Sequence, residues 1–197
     1  MYRINASYIL MRMGKYQEVV EILEKVQKVV PEYSSVYINL LAANELLGNI
    51  DTARKWGAEG LVMTQKNEWE EVTLLMAVAR MAYRQGWEDL AKARFSEIAE
   101  KHAKVFWYSD IARLVLGKIS AEEFSNLIHV RYFGFENAAE GYVLMSFVLQ
   151  KEWGKAEKFL DKNRDSLEKQ SAKQPLLKKE IEQAKEGVRL FRGRVTA

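Results

Sequence analysis

The sequence of 197 residues contains no cysteine and only two prolines. Without cysteine the chain can form neither disulfides nor thiolate metal sites, and this absence fits the cytosol as well as a bacterial periplasm. Few stretches alternate Val, Ile or Thr with polar residues, which argues against sheets. No apolar run reaches the roughly 20 residues of a membrane-spanning helix. We therefore expect long helices, no transmembrane segment and a cytoplasmic location, with the soluble periplasmic part of a larger protein as the alternative.

Charge and motifs narrow the classes of function. Lys and Arg total 30 against 27 Asp and Glu, and a net charge of +3 is too small to indicate nucleic-acid binding. The chain has none of the motifs of the nucleophile elbow, the phosphate-binding loops or the zinc proteases. His102 and His129 are its only histidines, whereas a metal site needs several convergent ligands. We predict a protein that is not an enzyme and holds no metal or cofactor, with each histidine at a helix end or in solvent.

A spacing of 34 residues separates Gly14 from Gly48, and similar residues follow both glycines. The segment GKYQEVVEIL begins at Gly14, GNIDTARKWG begins at Gly48, and a third copy, GWEDLAKARF, begins at Gly86. Apolar residues recur at three- and four-residue spacing beside these glycines, which is the period of an amphipathic helix. Each copy therefore predicts two antiparallel helices joined by a tight turn. The expected helices lie at residues 1–13, 16–30, 34–47, 51–63, 69–84 and 88–102.

The second hairpin carries two more specific signals. Gly57 and Gly60 lie inside its second helix, where each costs about 1 kcal/mol relative to alanine, so a neighbouring helix is expected to approach closely there. Ser34 or Ser35 is expected to be the N-cap of its first helix. The first helix of the chain has no such residue before it. This predicts that the chain begins inside a longer natural array or was cut there.

The repeat breaks after the third copy. The aromatic segment Phe106–Tyr108 leads into a short helix that we expect to be capped by Ser109 and ended by Gly117. Ser120 and Glu123 have the spacing of a capping box and predict another short helix. The repeat pattern is therefore interrupted by an irregular helical stretch.

A second aromatic segment, VRYFGFE at residues 130–136, contains Tyr132, Phe133 and Phe135 and is expected to be a turn. Exposed aromatic rings would form a partner site. The reading that we favour is that the rings of both aromatic segments pack this insertion against neighbouring helices.

The C-terminal third predicts one more hairpin and a final helix. Asn137 with Glu140 is expected to cap its first helix, Trp153 and Gly154 to form its turn, and the segment AEKFLDKNRDSL to form its second helix. A charged amphipathic helix at about 174–192 resembles the polar-backed cap of a repeat array. A dimer contact is an alternative for this helix, and its glutamates argue against a membrane-surface role.

The repeated positions carry a family resemblance. They are Gly14, Tyr16, Val19, Leu23, Pro31, Leu40, Gly48, Ala53, Gly60, Ala79, Gly86, Ala91, Phe95, Ala156 and Leu160. In these positions the chain resembles tetratricopeptide repeat (TPR) proteins, whose unit is a 34-residue helix hairpin. The resemblance implies an all-α fold, a right-handed superhelical array of antiparallel hairpins (an α-solenoid) with about 10 helices. It places three hairpins in 1–104, an irregular helical insertion in 105–136, a fourth hairpin in 137–165 and a capping helix in 171–193.

The resemblance also implies a binding surface, because in that family the first helices of the hairpins line a concave groove. Aromatic rings and Arg side chains suit such a groove, since they give contact area and hold carboxylates. The alternative, with about equal weight, is that Tyr83 and Met76 pack between helices and the arginines are solvated. The Lys, Asn and Arg set of TPR proteins that clamp chaperone tails is matched here only at Asn39, which argues against that subtype. The expected lining is Tyr8, Arg12, Asn39, Ala42, Glu45, Thr73, Met76, Arg80, Tyr83, Arg84, Tyr142 and Met145.

We therefore expect a non-catalytic scaffold that binds a peptide or helix of a partner protein. The alternative is a structural subunit whose end helices or insertion pair copies into a homo-oligomer or a larger complex, including a membrane-anchored bacterial one. Nucleic-acid binding ranks lower, because the charge is nearly balanced.

Overall fold

The computed structural model of the protein describes residues 2–131 and 136–195, and these residues form twelve α-helices and no strand. The all-α prediction is confirmed. Among the described residues no helix combines the length and the apolarity needed to cross a membrane. The chain divides into two compact units, unit 1 (Met1–Ala82) and unit 2 (Tyr83–Ala197). The helices are α1 (Tyr2–Arg12), α2 (Tyr16–Gln27), α3 (Ser34–Leu46), α4 (Ile50–Thr64), α5 (Glu68–Arg84), α6 (Glu88–Lys101), α7 (Phe106–Val115), α8 (Ala121–Arg131), α9 (Glu136–Leu149), α10 (Trp153–Lys162), α11 (Arg164–Ser171) and α12 (Pro175–Val195).

In unit 1 each of the first four helices packs against the next, and α1 also contacts α3. The turns between them are made at Gly14 and Gly48, whose φ angles of +74° and +82° lie in the left-handed region that favours glycine. The core between α2 and α3 is built from Val19, Val20, Leu23, Val26, Val36, Leu40 and Ala43. Burying one Val or Leu side chain contributes about 1.5–3 kcal/mol, so this core stabilises the packing of α2 on α3.

The close approach expected at the glycines of α4 is confirmed. A Cβ atom at Gly60 would lie 2.6 Å from Leu74 Cδ2 and 2.6 Å from Tyr37 Cγ. At Gly57 it would lie 3.0 Å from Val78 Cγ2. The two glycines therefore let α3 and α5 pack directly against the backbone of α4.

The N-terminus of α3 is capped differently from the prediction. Ser34 is the first residue of the helix, and the N-cap residue Tyr33 makes no side-chain capping bond. The backbone N–H of Ser34 instead donates to Glu70 Oε2 of α5 at 2.6 Å. The cap is thus supplied from another helix, and the assignment of Ser34 or Ser35 as N-cap is wrong.

Unit 2 begins at Tyr83, near the end of α5. One of its helices begins at a different residue from the one predicted. The short helix α7 begins at Phe106, so Ser109 lies one turn inside it and its N–H donates to Val105 O at 3.0 Å. Ser109 is therefore not the cap. The capping box is confirmed, because Ser120 N donates to Glu123 Oε2 at 2.7 Å and Glu123 N donates to Ser120 Oγ at 3.1 Å.

The C-terminal helices contain two further departures. The turn before α10 is made at Lys151, with φ +59°, and Trp153 and Gly154 already belong to α10, so the predicted turn is wrong. The predicted segment 156–167 is divided at Asn163 into α10 and α11. This division is one reason why the prediction of about ten helices falls short of twelve.

The predicted cap at Asn137 is also wrong, because α9 begins one residue earlier, at Glu136. The aromatic residues Tyr132, Phe133 and Phe135 lie outside the described residues, as do the side chains of Asn137 and His129. The final helix α12 begins at Pro175, a position where a missing N–H costs no helical hydrogen bond. It packs against α9, α10 and α11.

Candidate functional site

The residues predicted to line a groove fall in both compact units, and each share is described by itself. In unit 1, Tyr8 is 62% exposed on α1 and Arg12 is exposed one turn further along. Asn39 of α3 is half-buried, and its Nδ2 donates to Ser7 Oγ of α1 at 3.2 Å. The first helices of the first two hairpins therefore touch through a polar contact, and Tyr8 and Arg12 lie on the solvent side of the same helix α1.

The other unit 1 residues separate into buried and half-buried groups. Glu45 is 0% exposed and Met76 is 4% exposed, so neither offers side-chain surface to a partner in this conformation. Arg80 is half-buried, and so are Thr73 and Ala77. Spacings of three and four residues place these three on one stripe of α5. The partly open face of α5 in unit 1 therefore includes Arg80 and excludes Met76.

In unit 2, Tyr83 is 1% exposed. Burial is the main reason why the pKa of the Tyr83 phenol is raised above its usual range, and the negative charge of Glu180 adds to it. The phenol therefore stays neutral. Arg84 Nη1 lies 2.6 Å from Glu180 Oε1 of α12, and both side chains are 3% exposed. Tyr142 on α9 is half-buried. The side chains of Tyr83 and Arg84 are thus buried and offer no surface to a partner in this conformation.

The Arg84–Glu180 pair is a feature that the sequence interpretation missed. Its members are 96 positions apart in the chain, so no local pattern joins them. Gln183, one turn after Glu180, donates from Nε2 to the backbone O of Tyr83 at 2.9 Å. Two polar contacts from one face of α12 therefore hold the chain at Tyr83 and Arg84. The ion pair explains why Glu180 is buried on α12, a helix whose other charged residues are mostly exposed.

An open groove of about 550 Å³ lies in unit 2 among α10, α11 and α12. Its floor is apolar, with Leu167 2%, Ile181 6% and Val188 8% exposed. Its walls carry both signs of charge. Several of these charges already have partners within unit 2: Arg192 pairs with Glu157, Arg164 with Asp161, and Lys178 with Glu182. A ligand would have to displace those ion pairs, so this groove is a weaker candidate than the exposed face of α1.

His102 is the histidine whose side chain the structure describes. His102 is 6% exposed and is the C-cap residue of α6. Its backbone N–H donates to the backbone O of Ile98 at 3.2 Å. Its position at a helix end is as predicted. Within residues 2–131 and 136–195, no group of three or more His, Cys, Asp or Glu side chains is arranged to hold a metal ion.

Comparison with known proteins adds no relative. No protein-family model matches the sequence, and no curated protein or solved structure matches it at the significance required.

Proposed function

We propose that the chain is a non-catalytic protein-interaction scaffold of the TPR type, built as a right-handed superhelical array of hairpins. It binds a peptide or helix of a partner protein along the first helices of its hairpins. In unit 1 the partner contacts Tyr8, Arg12, Asn39 and Arg80. In the same unit Glu45 and Met76 lie beneath this surface and support the helices that carry it. Tyr83 and Arg84, which are buried in unit 2, make no contact with the partner.

The observation that carries this proposal is the exposed face of α1. Tyr8, Ile9 and Met13 are 62%, 59% and 62% exposed, and Arg12 lies among them. Large apolar side chains that are grouped in solvent are typical of interaction sites. Tyr and Arg are also the residues that most often dominate binding energy at interfaces, because each combines contact area with directed hydrogen bonds.

Two contacts in unit 1 support the use of successive first helices as one surface. Asn39 of α3 reaches Ser7 of α1, and Glu70 of α5 binds the N-terminus of α3. First helices that lie side by side present one continuous face to a ligand, as repeat arrays do.

The test compares capture of partner proteins from the source cells by the full chain and by a Tyr8→Ala/Arg12→Ala variant. A protein that depends on the face should be retained by the wild type and lost by the variant. Titration of that purified protein should then show binding weakened by about 30-fold, the effect of losing about 2 kcal/mol of hot-spot contact.

The matched control is Glu21→Ala/Lys25→Ala, which changes two exposed residues of α2 and should retain the partner. Circular dichroism checks that both double variants remain helical. Equal capture by the Tyr8/Arg12 variant and the wild type would rule out the α1 face as the binding surface.

The apolar members of this face also favour a second candidate, a subunit that assembles with its own copies. Ile9 lies on α1 and Met13 directly follows its last residue, four positions along the chain, and both are well exposed. Light scattering over a wide concentration range separates the two functions. A wild type that stays monomeric at high concentration eliminates assembly, whereas a dimer that Met13→Glu dissociates favours it.

A further inference from the structure

A second cavity in unit 2, which the scaffold proposal does not use, lies among α8, α9 and α10 and has a volume of about 330 Å³. Most of its lining is apolar. Pockets of this size with an apolar lining and a few polar groups are the usual form of a ligand site. The apolar lining consists of Ala121, Phe124, Ile128, Ala139, Val143, Phe147 and Phe159.

Aromatic rings give this cavity a firm wall. Phe147 and Phe159 pack edge to face with ring centroids 5.9 Å apart. Phe124 is 0% exposed and stacks on Trp107 of α7 at 6.3 Å. Rings held by such contacts lose little freedom when a ligand arrives, which lowers the entropic cost of binding.

Both charged residues among the described lining of the cavity are acidic. Glu122 and Glu140 line it, and none of its described lining residues is Lys or Arg. Gln170 Nε2 donates to Glu140 Oε2 at 2.9 Å and holds that carboxylate in place. Ser125 and Asn163 complete the polar lining. An occupant with an apolar group and an adjacent cation therefore complements both the rings and the carboxylates.

A neighbouring cavity of about 430 Å³ indicates that the occupant is a chain segment. It shares Ala121, Glu122 and Phe147 with the first cavity. Its lining is mixed, with Leu114 and Ile119 beside polar residues that include Lys118 and Gln150. Mixed donors and acceptors suit a peptide backbone, since each peptide unit presents an N–H and a C=O.

We propose that the cavity among α8, α9 and α10 binds a segment of a partner protein. The segment inserts one large apolar side chain against the half-buried rings of Phe147 and Phe159, above the buried ring of Phe124. It places a Lys or Arg next to that side chain, against Glu122 and Glu140. The inference is independent of the α1 face, so either site can fail without the other.

The test uses three acetylated and amidated peptides that differ only at two central positions. One carries Phe followed by Lys, the second Phe followed by Glu, and the third Ala followed by Lys. Each is titrated into the full chain with labelled Ile, Leu and Val methyl groups. The Phe-Lys peptide should shift the signals of Ile128 and Val143 in a saturable way. The Phe-Glu peptide should bind at least about tenfold more weakly, because it meets two carboxylates, and the Ala-Lys peptide should cause no shift.

Variants of the chain check the two halves of the proposal. Glu122→Gln and Glu140→Gln should each lower the affinity for the Phe-Lys peptide by about two- to fivefold, the range for partly exposed charge pairs. Glu182→Gln on α12, whose side chain is 60% exposed, is the control and should leave binding unchanged. Val143→Phe fills the cavity and should abolish binding. Should that variant lose its fold, Ser125→Arg introduces a cation from an exposed position and should do the same.

Several results would overturn the inference. Equal affinity for the Phe-Lys and Phe-Glu peptides removes the role of the carboxylates. Binding that persists in Val143→Phe or Ser125→Arg removes the cavity as the site. Shifts confined to α11 and α12, or no shifts at millimolar peptide, also refute it.

Discussion

Units 1 and 2 are both helical, but they bring their helices together in different ways. In unit 1 the contacts run mainly between helices that follow one another in the chain, and Gly57 and Gly60 set the separation. In unit 2, α7 packs on α9 as well as on α8, and α12 packs on three earlier helices. One of the contacts of α12 is the buried ion pair Arg84–Glu180.

The two kinds of contact make different demands on the sequence. A contact between successive helices needs only small and apolar residues at a fixed period, which every copy of a repeat can supply. A contact between distant helices needs residues that no neighbour repeats. Such packing leaves gaps, and the cavities around α8 and α9 lie where the repeat pattern is lost. Features particular to this protein are therefore expected in unit 2.

The largest expected effect comes from breaking the distant contact in unit 2. Glu180→Ala leaves the Arg84 guanidinium buried without its carboxylate. Removal of one partner of a buried pair costs about 3–5 kcal/mol, because the remaining charge stays desolvated. Urea unfolding followed by circular dichroism should show this loss as an earlier midpoint.

The control for this change is Glu182→Ala on the same helix, where the side chain is 60% exposed and the cost should stay within about 0.5 kcal/mol. Arg84→Met combined with Glu180→Leu should recover most of the loss, since apolar replacement of a buried pair is often neutral. A single Glu180→Ala variant as stable as the wild type would mean that α12 is not held by this pair.

A smaller effect is expected from closing the gap between successive helices in unit 1. Gly60→Ala places a methyl group 2.6 Å from Leu74 Cδ2 and 2.7 Å from Tyr37 Cβ. Overpacking of this kind costs about 1–3 kcal/mol, and it acts against the gain of about 1 kcal/mol in helix propensity. Thermal unfolding should therefore show a lower Tm.

The matched change is Gly154→Ala in α10 of unit 2, where nothing lies within 4 Å of the added atom. Here the gain in helix propensity is unopposed, and Tm should rise. If both alanine variants stabilise the chain, close approach at Gly60 does not set the helix separation in unit 1.

The smallest effects concern the capping box of α8. Ser120→Ala removes the side chain that accepts from Glu123 N and should cost about 1 kcal/mol. Ser125→Ala, at an exposed mid-helix position of α8, is the control and should change stability little. Equal unfolding midpoints for the two variants would show that the cap adds nothing to unit 2.

The same box predicts a dependence on pH. Hydrogen bonds from the backbone and the hydroxyl of Ser120 lower the pKa of Glu123 from its ordinary value of 4.5. The carboxylate therefore stabilises the folded state above that value, and this contribution is lost as the pH falls through the lowered pKa. An NMR titration of Glu123 should give a midpoint below 4.5. A midpoint above it contradicts the observed bonds.

The regular parts of the fold could be predicted because their causes are local. Gly14, Gly48 and Gly86 all have a positive φ, as their position at the end of a helix suggests. The contacts at Gly60 also followed from local reasoning, since a glycine inside a helix needs a compensating approach. The period of a helix, a glycine in a turn and the cost of a glycine inside a helix can all be read from short segments.

The remaining features depend on partners far away in the chain. The cap of α3 comes from Glu70, so the nearby serines were misleading. Lys151 adopts a conformation usually reserved for glycine, which no residue preference would predict. For the candidate site, exposure on α1 agrees with Tyr8 and Arg12 as surface residues, whereas the enclosure of Arg84 depends on Glu180, which approaches only after α12 has docked.

The cap that Glu70 provides has a consequence for how unit 1 opens. The N-terminal turn of α3 has its Ser34 amide bonded only while α5 is in place, so α3 frays when α5 undocks. Hydrogen exchange at that amide would report the undocking of a helix that begins more than thirty positions later. A fluctuation of α5 thereby becomes a cooperative event that also opens the first turn of α3.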